Sequence, residues 1–94
     1  MTKVTIFIPD KMNELNIGIH GIARQLSENY TIDSYPRTGR WIDASGKAHH
    51  DRIYCCVIYT DYPDQIIDKI PLIRQQLKEQ CIAIEVQEVE FRLI

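Results

Sequence analysis

The chain carries few of the residues that mark an unusual architecture. Its three cysteines, Cys55, Cys56 and Cys81, are too few and odd in number for a small secreted disulfide scaffold. No Cys-x-x-Cys spacing occurs, which excludes a zinc knuckle and a thioredoxin-type pair. Each cysteine is expected to be a small buried hydrophobe. Only four glycines and four prolines are present, so collagen-like and low-complexity classes are excluded. Neither sign of charge prevails: 11 basic and 13 acidic residues leave a formal net charge of −2 at pH 7. Bulk electrostatics therefore do not favour nucleic acid or a membrane surface, although a local basic patch remains compatible with that balance. The N-terminal apolar stretch, Val4 to Ile8, is five residues long, too short for a signal peptide or a membrane span. A cytoplasmic protein without a membrane partner is the expectation.

What is present is the composition of an ordinary globular chain. Ninety-four residues, 45% apolar and 26% charged, suit one domain over 1–94 with one core. Val4, Ile6 and Ile8 alternate with Lys3, Thr5 and Phe7, the period of a strand, and Pro9 closes it. Leu15, Ile19, Ile22, Leu26 and Tyr30 recur at helical spacing, predicting an amphipathic helix from residue 12 or 16 to 28. Gly18 and Gly21 weaken that helix, so it begins late or the glycines allow close approach to a sheet. Asn29 is its expected C-terminal cap. Residues 30–42 are β-branched and aromatic but interrupted by Pro36 and Gly39, which predicts a bent edge strand.

Asp43-Ala44-Ser45-Gly46 is turn chemistry, and the strand Ile53–Thr60 after it is apolar on both parities, so covered on both faces. Asp61-Tyr62-Pro63-Asp64 reads as a capped helix start. Ile66, Ile70, Ile73 and Leu77 continue that helix, which Pro71 should kink. Ile82, Ile84 and Val86 share one parity, whereas Val89, Phe91 and Leu93 share the other. A β-bulge or a break into two short strands is expected at Gln87-Glu88. The order β-α-β-β-α-β predicts an α+β fold, a ferredoxin-like sandwich. In that fold a four-stranded antiparallel sheet carries two helices on one face. Phe7 and one parity of residues 53–60 would lie on the uncovered face, so a second copy is the expected cover, making a homo-oligomer.

The densest polar cluster falls on the hairpin between the second and third strands. Arg37, Arg40, Trp41, His49, His50, Asp51 and Arg52 lie there, with Asp43 and Lys47 at its turn. Four basic groups face two acids in this segment, the one locally cationic stretch of the chain. Antiparallel pairing should set Trp41 opposite Ala48 or His49, and Arg40 opposite His49 or His50. Forked guanidinium donors and a flat indole suit a small anionic ligand or an acidic protein partner. The plain alternative is a solvated hairpin with Trp41 pegged into the core.

Other chemistries find less support. Adjacent strand residues point to opposite faces, so His49 and His50 cannot jointly hold one ion, and no metal site is expected. No nucleophile elbow, P-loop or dinucleotide fingerprint is present, and no catalytic residue or cofactor is assigned. A small enzyme would have to use His50 and Asp51. Tyr54 and Tyr59 have opposite parity and cannot form one stacking platform for RNA.

The element order, with Gly39-Arg40-Trp41-Ile42-Asp43-Ala44-Ser45-Gly46 and the apolar strand after it, resembles small bacterial ferredoxin-like domains of uncharacterised function. More remotely it is similar to PII-type signalling proteins and their CutA-type relatives. The PII resemblance implies a sheet-to-sheet homo-oligomer that binds small molecules in clefts between subunits. Arg37 to Arg52 would be the partner-contacting loop. Two differences bear on this: the connection is a short hairpin, and no nucleotide signature is present. The expected function is a non-enzymatic ligand-binding or regulatory module. The alternatives are a protein docking an acidic surface through residues 37–52, or the small enzyme above.

Overall fold

The computed structural model describes residues 1–32 and 37–94, and for residues 37–41 and 49–51 their backbone alone. In chain order it contains β1 (Thr2–Pro9), α1 (Met12–Leu15), α2 (Ile19–Leu26), β2 (Thr31–Ile32), β3 (Arg37–Ile42), β4 (Ala48–Thr60), α3 (Pro63–Ile67), α4 (Ile70–Gln76) and β5 (Ile84–Glu88). It is an α+β protein with an antiparallel sheet in the order β2-β4-β1-β5, and β3 also pairs with β4. The bend expected at Pro36 lies outside the described residues.

Five of the eight residues of β1 are β-branched, which favours an extended strand. All of β1 pairs with β4, from Thr2 opposite Thr60 to Pro9 opposite Ile53. On its other side β1 pairs with β5, from Thr2 opposite Glu88 to Ile6 opposite Ile84. Strand alternation puts Val4, Ile6 and Ile8 on one face, with Ile58 and Cys56 beside the first two. These five form one buried cluster with Ile22, Ala23 and Leu26 of α2, Ile66 of α3, Ile73 of α4, and Leu77. Each large side chain so buried contributes about 1.5–3 kcal/mol, which makes this cluster the main source of stability.

Both predicted helices are present, each in two pieces. The first breaks at Asn16, which adopts a left-handed conformation at φ 54°, a geometry asparagine tolerates. Gly18 then caps α2 in an extended conformation. A Cβ added at Gly18 or Gly21 would meet nothing within 4 Å, so neither glycine serves a close approach; Gly18 marks the late start, and Gly21 lies within α2. The helix ends at Ser27, not Asn29, and the Ser27 hydroxyl accepts a hydrogen bond from the Asn29 amide at 3.1 Å. In the second helix Pro63 occupies the first turn as expected, but the cap is Tyr62 and not Asp61. The Tyr62 amide donates to the Thr60 hydroxyl at 2.9 Å. Pro71 produces a full break, not a kink: α3 stops at Ile67, and Pro71 sits in the first turn of α4. A proline is tolerated there because that turn's amides need no helical acceptor.

The parity change near Gln87-Glu88 is a strand end. β5 stops at Glu88, and among the described residues no second strand follows. The Val89 amide donates to the Met1 carbonyl at 2.9 Å, and the Phe91 ring lies 5.1 Å from that of Tyr59. Lys11 joins distant segments by bridging Glu79 at 2.9 Å and Glu14 at 3.2 Å. The Glu79 hydrogen bond, ahead of the Glu14 bond and against the effect of burial, raises the Lys11 pKa above its ordinary 10.5. Lys11 is therefore charged in the bridge at neutral pH, and its contribution fades as pH climbs through that raised value.

Replacing Ile58, which is 1% exposed at the centre of the cluster, by alanine should lower stability by about 2–5 kcal/mol. Urea denaturation would show a shifted midpoint with an unchanged slope, and a midpoint equal to that of the parent would contradict this packing.

Candidate functional site

The turn joining β3 to β4 is built by Asp43. Its Oδ1 accepts from the Ser45 amide at 2.9 Å, the Ser45 hydroxyl at 2.6 Å and the Lys47 amide at 3.0 Å. The Gly46 amide closes on the Asp43 carbonyl at 3.0 Å, and Gly46 has φ +86°, a conformation costly for any side-chain-bearing residue. This turn fixes the register: Ile42 opposite Ala48, Trp41 opposite His49, Arg40 opposite His50, Gly39 opposite Asp51, Thr38 opposite Arg52 and Arg37 opposite Ile53. Of the alternatives expected from the turn, the register selects His49 for Trp41 and His50 for Arg40.

The strand β4 has 13 residues, but β1 supports only Ile53 to Thr60. Residues 48–52 run past the end of β1, flanked by β3 on one side and held on the other by the Asp10 amide donating to the Arg52 carbonyl at 2.8 Å. Thirteen strand residues span about 43 Å, close to the longest dimension of the molecule, 48 × 26 × 25 Å. The hairpin is thus a two-stranded arm extending from the sheet. It brings Arg37, Arg40, Trp41, His49, His50, Asp51 and Arg52 together by backbone register. The anion-binding and core-peg roles weighed for Arg37, Arg40, Trp41, His49, His50 and Asp51 concern side chains outside the described residues. Arg52 and Lys47 are exposed.

A second region lies on the sheet face opposite the helices. Phe7 stands opposite Cys55, Thr5 opposite Val57 and Lys3 opposite Tyr59, with Thr5 opposite Glu85 and Lys3 opposite Gln87 on the other side. Tyr54 is not part of it. Its register partner is Ile8, and with Ile8, Ile17, Ile22 and Leu77 it lines a small cavity on the helix side. A shallow groove of about 240 Å³ is lined by Asn29, Tyr30, Thr31, Val57 and Tyr59. Neither the groove nor the Phe91–Tyr59 contact was legible in the sequence; the parity change at Val89, Phe91 and Leu93 was a signal for the contact alone.

Other chemistry-bearing groups have structural roles. His20 Nδ1 lies 2.9 Å from the Tyr30 hydroxyl, so the third histidine is tied to the β2 end of the sheet. Cys55 and Cys56 are buried as expected, whereas Cys81 is exposed, because it precedes β5 in an irregular segment. Burial pushes the Cys56 thiol up to about 11. Among the described residues no group of three or more His, Cys, Asp or Glu could hold a metal ion, and no helix is long and apolar enough to cross a membrane. No protein-family model matches the chain, and no curated protein matches it significantly.

Cys81 should be the fast-reacting thiol of the folded protein, because it is exposed while Cys55 and Cys56 are buried. Titration with a chromogenic disulfide should show one rapid thiol per chain, the others reacting only after unfolding in urea; rapid reaction of all the cysteines in the folded state would contradict the packing of β4.

Proposed function

We propose that the protein is a non-enzymatic ligand-binding or regulatory module of PII-like character, with a ferredoxin-like βαββαβ fold, acting as a homo-oligomer. In this reading β2 and β3 are one interrupted strand, and α1–α2 and α3–α4 are two interrupted helices. The order β2-β4-β1-β5 then supports the ferredoxin-like assignment. The carrying observation is the arm: a two-stranded hairpin with four basic residues and Trp41, projecting from a sheet whose own pairing stops at Ile53. A cationic projection on a mildly acidic body attracts anions locally without binding polyanions generally. Arg37, Arg40, Trp41, His49, His50, Asp51 and Arg52 are its recognition residues, and the ligand is a small anion. The uncovered sheet face is the assembly surface. Thiols without a disulfide suit a reducing, cytoplasmic setting.

An acidic protein surface is the second reading, favoured by the reach of the arm beyond the body. A thermal-shift screen across nucleotides and small carboxylates separates the two, because a ligand bound only to the native state raises Tm. At least one anion should raise Tm. Arg40→Ala should weaken its binding roughly ten- to a hundredfold, the worth of a charge-assisted bond, and leave the unliganded Tm unchanged. Arg40→Ala binding as tightly as the parent would overturn the assignment of the arm. A screen with no stabilising anion, alongside capture of one acidic protein, would replace the first reading by the second.

A further inference from the structure

We infer that the helix-free sheet face, on which Thr5 and Cys55 are buried but Tyr59 and Glu85 are exposed, pairs with the same face of a second copy across a two-fold axis, Lys3 of each copy meeting Glu85 of the other. This rests on the homo-oligomer reading and names the residues that set its register. Lys3 lies opposite Gln87 and Glu85 opposite Thr5, so the two charges are diagonal neighbours on that face. Among the described residues neither is in an ion pair, although long side chains at such positions come within reach of each other. Beside them run Phe7, Val57 and Tyr59, with Phe91 packed on Tyr59 and itself 49% exposed.

Lys3 and Glu85 set one positive and one negative charge beside an apolar stripe, an arrangement complementary to itself. A two-fold operation brings each charge to its opposite and joins stripe to stripe, forming two equivalent ion pairs per interface. A purely basic or purely acidic partner would instead set one of the two charges against its own sign. The strands supply part of the area: β1 and the paired half of β4 have eight residues each, β5 five and β2 two, which at about 4.8 Å spacing and about 3.3 Å per residue is roughly 360 Å² per copy. Phe91, exposed and packed on Tyr59, extends the stripe toward the roughly 1,000 Å² in total at which specific interfaces begin. Charges at such a rim chiefly select orientation and partner.

Light scattering on the full chain and on K3E and E85K tests this. The parent should have twice the 11.0 kDa chain mass. Each charge reversal should raise the dimer dissociation constant about tenfold or more, since it sets like charges together twice per interface. An equimolar mixture of K3E and E85K should regain the parent's affinity, because the two variants then present opposite charges at both positions. A pair confined within one chain cannot produce that recovery. Unchanged far-ultraviolet circular dichroism would show that both variants fold. A parent that stays at 11.0 kDa overturns the homo-oligomer reading and this pairing together. A trimer, or a dimer untouched by either reversal, or one lost in both without recovery on mixing, overturns the pairing and leaves the homo-oligomer reading standing.

Discussion

Eight consecutive register pairs between β1 and the second half of β4 are the frame on which every other element depends. Their length is set at one end by Pro9, which has no amide to donate and stands opposite Ile53 as the last pair. Beyond it only Asp10 reaches back, to the Arg52 carbonyl. β4 nevertheless continues, because β3 supplies it with a new partner from Arg37 to Ile42. One strand thus serves two purposes. Residues 53–60 belong to a buried ladder, and residues 48–52 belong to an arm stabilised by its own turn.

The same ladder divides the molecule into two unlike faces. One parity of β1 lies under α2, α3 and α4 and is almost fully buried. The other carries Lys3, Thr5 and Phe7, a mixture suited to a surface that is sometimes covered and sometimes wet. Segments that merely connect are tied by polar contacts: Lys11 to Glu79, His20 to Tyr30, and Lys69 Nζ to the Leu26 carbonyl at 3.1 Å. Such ties hold loops in place while leaving the arm and the open face for recognition.

Much of this was legible in the chain, for definite reasons. Alternation in Val4, Ile6 and Ile8 identifies a half-covered strand, and Asp43 with Gly46 specifies a turn whose register follows directly. Boundaries were harder. Asn16 and Pro71 break helices whose hydrophobic spacing runs on unbroken, because burial periodicity is kept by consecutive pieces packed on the same sheet. Tyr54 was ambiguous because a strand apolar on both parities does not say which side meets the helices; only pairing with Ile8 decides it. The exposed Cys81 departs from the usual burial of cysteine because irregular chain, not a strand, surrounds it. The composition of the candidate arm was visible, but its projection was not. That follows from the offset between Pro9 and the start of β4, a property of pairing and not of either segment alone.

Amide hydrogen exchange along β4 is the most direct test of this division. Residues 56 and 57, flanked by β1 on one side and β2 on the other, should exchange only through global unfolding, with protection matching the stability measured in urea. Residues 48–51, held by β3, should exchange through local opening, faster by orders of magnitude and at a rate insensitive to Ile58→Ala. Equal protection along the whole of β4, falling in step when Ile58 is truncated, would contradict the account and make the arm part of the core.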